Sequence, residues 1–312
     1  MTTEARHPQP SERARALVRG AYDLHVHIEP DVIPRRITDL ELARRFHACG
    51  LAGFVLKSHY VPTAERAAVV RAAVPEVRAL GAIVLNNPVG GLNPVAVEIA
   101  ARGGARIVWM PTVDAANEAA EHALRPAGAK LPLWAKLQDE LRERGIAAPP
   151  VQVVDEAGAL LPAAHAVLRV VAAHQLVLAT GHLSRDEIFA MVEAALAHGI
   201  RQIVVTHPDY PTQNLAVDDQ RRLAAQGVYL ERCVAPAYTG KVAWERMFEA
   251  IRASGPEHSV LSTDLGQPAN PPVEDGLALV ADRLLDAGFR EEEVFTMAVT
   301  NTVRLAAGEE AV

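Results

Sequence analysis

Two histidines separated by one residue give the strongest chemical signal in this sequence. They end the first hydrophobic run, which reads Asp23-Leu24-His25-Val26-His27. On a β-strand, residues i and i+2 point to the same face, so His25 and His27 lie side by side. Two neighbouring imidazoles inside a protein are costly unless their lone pairs are used, and a transition metal uses them best. The pair therefore predicts a metal site.

Three further candidate ligands occupy equivalent places later in the chain. His182 ends the run LVLATGH, His207 ends the run QIVVTH and Asp264 ends the run VLSTD. Each ligand follows an apolar, β-rich segment, at its carboxyl end. Ligands that are spread over most of a chain but share one end of successive strands suggest a single metal site at one mouth of a barrel.

Eight short β-rich runs alternate with helical patterns. The helices have recognisable beginnings, because Thr38 to Glu41 and Ser184 to Glu187 both match the capping-box pattern. The interval between runs is roughly that of a βαβ unit, and eight such units make a (β/α)8 TIM barrel. A doubly wound sheet is the alternative, but no glycine-rich phosphate turn follows the first strand. The β-rich runs are AYDLHVH, AGFVLKSH, AIVLNNP, RIVWMPTV, QLVLATGH, QIVVTHP, GVYLERCV and SVLSTDL.

One interval, between the fourth and fifth runs, is much longer than the others. The excess, at about 115–162, contains a predicted helix, LPLWAKLQDELRERG, and a predicted small hairpin, VQVVDEAGALLP. We interpret it as an insertion above the mouth of the barrel, which serves as a lid or pocket wall or else as a surface or dimer contact. The predicted organisation is an N-terminal polar segment, 1–20, followed by a single barrel, 21–312.

Composition restricts the class of protein. Half of the residues are hydrophobic and 22% are charged, as in a soluble globular protein. The formal net charge of −7 argues against a nucleic-acid surface. Cys49 and Cys233 are the only cysteines, which suggests core thiols in a reducing cytoplasm. We expect a cytoplasmic protein with a small-molecule substrate and no nucleic-acid or membrane partner, and a homo-oligomer is compatible with the sequence.

With these ligands in this order, the chain resembles the amidohydrolase superfamily, broadly the TatD-type and phosphotriesterase-type metal hydrolases, as an uncharacterised branch. The C-terminal TNTVRLAAG is also similar to the closing segment of many members. The resemblance implies that His25, His27 and Asp264 hold the more buried metal. It implies that His182 and His207 hold a second metal, if there is one. Asp264 would also take a proton from the metal-bound water and pass it to the leaving group.

The resemblance also implies a cofactor and a reaction. The cofactor is one or two divalent metal ions, with zinc as the first choice and Mn, Fe or Co as alternatives. Metal-activated hydroxide would attack an amide, cyclic amide or ester of a small molecule. A lactonase, a phosphoesterase, a metal-dependent decarboxylase and a catalytically silent metal-binding barrel are the alternatives. Asp264 argues against the silent barrel, because structural zinc sites usually close with four protein ligands and leave no base beside an open position.

The sequence departs from the family pattern at the bridging ligand. Many binuclear members carry a carbamylated lysine or a glutamate on strand four, but here Asp114 is the only acid of RIVWMPTVDA. Either another residue bridges, or the site is mononuclear. Lys57 and His59 are two residues apart, so both are expected to face the interior of the barrel. Lys57 could be a carbamylated bridge, a free ammonium that contacts an anionic substrate, or a salt-bridge partner of Asp23 or Glu231. His59 is a candidate metal, catalytic or substrate contact, or an ordinary loop histidine.

Glu231 ends the seventh strand and is a weaker candidate. It could contact the substrate or support or ligate the metal, although an ion pair at the barrel rim with Arg232 or Lys241 is slightly favoured.

Two pairs of polar residues follow the first and third strands. Arg35 and Arg36 lie in the first loop and could clamp a carboxylate or phosphate, although such pairs are more often solvated. Asn86 and Asn87 end the third strand and could donate hydrogen bonds to a substrate.

Overall fold

Eight parallel strands form the centre of the molecule. The structure is a computed structural model that describes residues 7–124, 131–146 and 149–308. Each strand pairs with the next in the chain, in the order β1 to β8. The strands are β1 (Tyr22–Val26), β2 (Gly53–Leu56), β3 (Arg78–Val84), β4 (Ala105–Trp109), β5 (Val177–Ala179), β6 (Ile203–Val205), β7 (Tyr229–Cys233) and β8 (Ser259–Ser262).

Two backbone hydrogen bonds bring the last strand back to the first. The amide of Asp264 donates to the carbonyl of His25, and the amide of His27 donates to the carbonyl of Leu265, both at 2.8 Å. The sheet is thereby closed into a barrel, which confirms the predicted (β/α)8 fold. The residues that close it include three of the predicted metal ligands.

Fourteen α-helical segments, counted over the described residues, surround or cap the strands. Short 3₁₀ turns also occur at Asn87–Val89 and Pro256–His258, and a π-helical turn at Thr296–Thr300. The helices are α1 (Glu12–Leu17), α2 (Asp39–Cys49), α3 (Ala64–Ala73), α4 (Pro94–Arg102), α5 (Ala116–Ala123), α6 (Leu133–Glu143), α7 (Pro162–Ala173), α8 (Arg185–Ala197), α9 (Val217–Ala224), α10 (Val234–Tyr238), α11 (Trp244–Ser254), α12 (Val273–Asp286), α13 (Glu291–Phe295) and α14 (Asn301–Ala307).

Apolar side chains fill both sides of the sheet. Two large clusters are shared by outward-facing strand residues and the helices, such as Phe46 of α2 packed against Phe54 of β2. A third cluster contains the alternate strand residues, which point into the barrel, including Val55, Ile107 and Trp109. This burial on both faces explains why the strands read as continuous apolar runs. The third cluster closes the barrel below the histidines, because the Trp109 ring lies 5.6 Å from that of His25.

The long interval between β4 and β5 contains three helices, α5 to α7, whereas each of the other crossovers contains one or two among the described residues. Helix α6 lies within the predicted helix LPLWAKLQDELRERG, whereas α5 was not anticipated. The predicted hairpin is reduced to an antiparallel bridge between Val154 and Leu160 around a turn. The predicted insertion also includes 125–130 and 147–148, which lie outside the described residues.

The N-terminal segment contributes a helix that the sequence did not indicate. Ser11 caps α1 and donates hydrogen bonds from its amide and hydroxyl to Asp282 on α12. Ala14 of α1 is completely buried against the barrel. The predicted segment 1–20 also includes 1–6, which lie outside the described residues. No helix in the described part of the chain is long and apolar enough to span a membrane.

Gly266 offers a test of the closure between β8 and β1. It has a φ of +125°, and a Cβ there would lie 1.5 Å from the carbonyl oxygen of His27. At Gly288, by contrast, φ is +85° and a Cβ would meet nothing within 4 Å. We expect Gly288→Ala to lower the free energy of unfolding by about 1–2 kcal/mol, and Gly266→Ala by at least about 2 kcal/mol more. Urea unfolding measures both, and equal losses would contradict this account of the closure.

Candidate metal centre

Five imidazoles form a closed ring at the carboxyl ends of the strands. Neighbouring ring centroids are 5.2 Å apart for His25 and His27, 4.7 Å for His27 and His59, and 6.4 Å for His59 and His182. The ring closes through His207, at 5.0 Å from His182 and 6.2 Å from His25. All five are at most 8% exposed. The structure thus brings the four predicted histidine ligands together and adds His59.

The carboxylate of Asp264 lies among these rings. Its Oδ1 atom is 3.2 Å from Nε2 of His25 and 3.2 Å from Nε2 of His27. Burial by itself raises the pKa of Asp264, but the adjacent His25 and His27 outweigh burial and hold that pKa well below its usual range. Ligand atoms of the three residues lie within 4.8 Å of one another, a spacing that could hold one metal ion.

Glu231 orients His25 and touches a second histidine of the ring. Its Oε1 atom lies 3.0 Å from Nδ1 of His25 and accepts a hydrogen bond from Ser262 at 2.7 Å. Its Oε2 atom accepts from the amide of His207 at 3.2 Å. A carboxylate at Nδ1 favours the tautomer that leaves the Nε2 lone pair free for a metal.

The ion pair favoured for Glu231 at the barrel rim is therefore wrong. Arg232 instead pairs with the buried Asp209 at 2.9 Å, and Lys241 donates to the hydroxyl of Tyr210 at 2.8 Å. The reason is strand parity, since neighbouring residues of β7 point to opposite faces. Glu231 points into the barrel and Arg232 points towards the helices.

Two further histidines have oxygen atoms at Nδ1. For His182 the partner is Glu118 Oε2 at 3.0 Å, and for His207 it is Gln213 Oε1 at 3.2 Å. Glu118 belongs to α5 and is 1% exposed. Sequence reasoning missed both partners, because nothing distinguishes Glu118 from the other acids of a helical segment. The long β4–β5 connection thus supplies a support for a predicted ligand.

His59 is held through the ends of two strands. Its Nδ1 atom lies 2.9 Å from the hydroxyl of Thr112. Asn86 donates to that hydroxyl at 2.8 Å and to the carbonyl of His59 at 3.0 Å. Of the two asparagines singled out in the sequence, Asn86 is therefore the one beside the ring, as a support for His59.

Burial keeps most of this ring uncharged. It lowers the pKa of His27 and His59 well below the usual range and lowers that of His207 to about 3. Nδ1 of His27 is buried and has no hydrogen-bond partner among the described residues. Neutral imidazoles and a carboxylate are the donor set that zinc and other divalent first-row metals bind. The residues therefore fit a divalent metal centre.

Lys57 projects into the same space. Its side chain is 3% exposed, its Nζ atom lies 2.9 Å from Nε2 of His25, and the Trp109 ring centroid is 5.1 Å away. Burial lowers the pKa of this amine. None of the ion pairs found in the described ranges joins Lys57 to Asp23 or Glu231, so the salt-bridge interpretation is not realised.

The two arginines of the first loop take different places. Arg35 is buried, and its Nε donates to Asp31 at 2.6 Å. Arg36 is exposed and donates to the carbonyls of Pro268 and Asn270 at 3.0 and 2.9 Å. Of the two, only Arg35 is buried, whereas Arg36 is engaged at the surface.

Asn87 and Asp114 tie the long connection to the barrel. The Asn87 amide side chain donates to the carbonyl of Pro149 at 3.1 Å, and its backbone amide donates to Asp114 at 2.9 Å. Gln138 of α6 also donates to Asp114 at 2.7 Å. The polar groups of Asn87 are thus used in loop contacts, and the only acid of the fourth run supplies no bridging ligand.

Comparison with known sequences assigns a family. A model described as a family of unknown function, DUF6282, matches residues 20–231. The chain belongs to the DUF6282 family. No curated protein matches it.

Solved structures with the same fold include three named hydrolases or homologues. An amidohydrolase from Pseudomonas aeruginosa has a TM-score of 0.60 at 11% sequence identity. The match covers 94% of this chain and 98% of the amidohydrolase chain. A metallopeptidase named dipeptidase AC has a TM-score of 0.57 at 13% identity, with coverages of 93% and 98%.

The third is a phosphotriesterase homology protein from Escherichia coli, complexed with phosphate in its active site. It has a TM-score of 0.55 at 11% identity, with coverages of 90% and 97%. At such identities the likeness establishes the fold alone. This DUF6282 member has the barrel fold found in amidohydrolases and phosphotriesterase homologues.

Glu118 provides a test of the support that the long connection gives to His182. We expect Glu118→Gln to weaken metal binding by about 10- to 100-fold, because the amide no longer orients and polarises His182 as a carboxylate does. Competition with a chelator measures the affinity. Glu121→Gln, on the same helix, is the matched control and is expected to bind metal normally. Unchanged affinity in Glu118→Gln would remove this residue from the metal centre.

Proposed function

We propose that this protein is a metal-dependent hydrolase that acts on an amide, a cyclic amide or an ester of a small molecule. One observation carries the proposal: five buried imidazoles form a ring at the mouth of the barrel, and the carboxylate of Asp264 contacts two of them. Active sites of (β/α)8 enzymes lie at this end of the strands. A fold shared with a named amidohydrolase and a named dipeptidase supports the same class.

Two sets of residues would hold the metal. His25, His27 and Asp264 would hold the more buried ion, and His182 and His207 a second one. When bound, a divalent ion lowers the pKa of a coordinated water and polarises the bond to be cleaved. Zinc is our first choice, because imidazole nitrogen and carboxylate oxygen are its usual ligands in proteins.

Asp264 would move the proton. Because its pKa is well below the usual range, the carboxylate is ionised at neutral pH and can accept a proton from the attacking water. The same oxygen would then return the proton to the leaving amine or alcohol.

Lys57 would serve as an anionic ligand after carbamylation. Its amine lies 2.9 Å from Nε2 of His25, where an ammonium ion would oppose a bound cation. Burial favours the neutral amine, the form that adds to CO2 and releases a proton as the carbamate forms. Asp114, the only acid of the fourth run, is already hydrogen-bonded to Asn87 and Gln138. A carbamate would therefore supply the bridge that the fourth strand lacks.

A hydrolysis screen tests the reaction class. Protein reconstituted with Zn, Mn, Fe or Co and matched metal-free protein would be assayed with panels of amides, cyclic amides, esters, lactones and phosphoesters. The proposal expects metal-dependent turnover of an amide, cyclic amide or ester. Turnover confined to lactones or phosphoesters would change the substrate class. Metal binding without turnover on any panel would favour a silent barrel.

Substitutions of His27 and Asp264 should affect different quantities, metal affinity for the first and kcat for the second. We expect His27→Ala to lose metal affinity, because an imidazole of the deeper set is removed. We expect Asp264→Asn to keep most of the bound metal but to lose at least about 10²-fold in kcat, because the amide cannot accept the proton. Metal analysis together with kinetics distinguishes the two, and a fully active Asp264→Asn would reject the assigned base.

Lys57→Ala tests the carbamate. The expected result is a decrease from about two bound metal ions per chain to one, with partial recovery of activity on addition of short carboxylic acids that replace the lost ligand. Mass spectrometry of the native protein should show the added CO2. Unchanged metal content with a loss confined to kcat/KM would instead assign Lys57 as a free ammonium that contacts the substrate.

A further inference from the structure

We propose that Arg35 and Tyr60 form a subsite for a carboxylate group of the substrate at the rim of the metal centre. This inference rests on the proposed function and narrows its substrate class to hydrolysable molecules with a free carboxylate. It is carried by two buried polar atoms, Nη2 of Arg35 and the hydroxyl oxygen of Tyr60, that have no hydrogen-bond partner among the described residues.

The first group is the guanidinium of Arg35. The residue is 8% exposed, and its Nε donates to Asp31 at 2.6 Å. Its Nη2 atom is buried and has no hydrogen-bond partner in the part of the chain that is described. Asp31 thus fixes the side chain and balances its charge but leaves donors of the planar fork available. Such a fork matches the geometry of a carboxylate.

The loop that carries Arg35 lies against the metal centre. The amide of Arg36 donates to the carbonyl of Gly266 at 2.7 Å, and Gly266 packs directly against the backbone of His27. This contact places the loop of Arg35 beside the His27 end of the ring of imidazoles.

The second group is the hydroxyl of Tyr60. Its ring centroid lies 6.1 Å from that of His59, and its hydroxyl oxygen is buried without a partner among the described residues. A phenol is protonated at neutral pH, so this hydroxyl can donate a hydrogen bond. The His59 ring stacks on that of His27 at 4.7 Å, so the Tyr60 ring and the loop of Arg35 flank the same pair of histidines.

The number and charge of these donors select the ligand. Buried N–H and O–H groups without an acceptor are costly, so two of them beside the His27–His59 pair indicate a ligand that accepts their hydrogen bonds. A monoanionic carboxylate can accept from a guanidinium and a phenol together. The carboxylate of Asp31, 2.6 Å from Nε of Arg35, disfavours a dianionic phosphate at this place.

A pair of metal-anchored probes tests the subsite by affinity. Both are hydroxamates with the same spacer of one to four methylenes, and they differ only in a terminal carboxylate or carboxamide. With zinc-loaded protein we expect at least one spacer for which the carboxylate binds about tenfold tighter or more. In Arg35→Gln this preference should fall by about 10- to 100-fold, and in Tyr60→Phe by a few-fold. The measured quantity is the ratio of the two Kd values by calorimetry.

Controls separate this inference from the proposed function. Arg36→Gln, which removes the exposed neighbouring charge, should keep the wild-type ratio, and Arg35→Lys should lose most of it because the fork is absent. Metal content and thermal unfolding are checked for each variant. Equal affinities of the two probes for the wild-type protein at every spacer would overturn the subsite while leaving the metal centre intact. Failure of both probes to bind zinc-loaded protein would overturn the proposed function, and the subsite with it.

Discussion

The hydrogen bonds that close the barrel are the constraint on which the candidate site depends. The amide of Asp264 bonds to the carbonyl of His25, and the amide of His27 bonds to the carbonyl of Leu265. Backbone pairing thus sets the separation of three candidate ligands before any side-chain rotamer is chosen. A metal would hold the same residues together from the side-chain face. Closure of the barrel therefore also brings these three candidate ligands together. A Cβ at Gly266 would clash with the carbonyl oxygen of His27 at this closure.

A second feature is the supply of hydrogen-bond acceptors behind the imidazoles. Glu231 comes from a barrel strand, whereas Glu118 comes from a helix of the long β4–β5 connection. Each acid sits at Nδ1 and fixes the tautomer that exposes Nε2. The long connection thus has a structural reason to lie over the mouth, since His182 would lack its carboxylate partner without it.

The burial of two basic side chains beside a candidate cation site needs a physical reason. Lys57 and Arg35 are both buried, and the ion pairs of the described residues leave Lys57 without a carboxylate partner. Burial of a basic side chain is expensive when hydrogen-bond donors are left unused, and such groups are often found where chemistry uses them. Carbamylation would turn one of them into an anionic ligand, and an anionic substrate would complete the other.

Much of the architecture was determined by the sequence itself. Apolar runs at the spacing of βαβ units predicted the barrel, and strand parity predicted that His25 and His27 share a face, because both properties depend on local geometry. The shared position of His182, His207 and Asp264 at strand ends also predicted their convergence. Tertiary structure alone decided the rest. It placed Glu118 behind His182, directed Glu231 to His25 rather than to Arg232, and buried Arg35 but not Arg36. These outcomes depend on which side chains meet across the fold, and residue type and spacing along the chain do not encode such meetings.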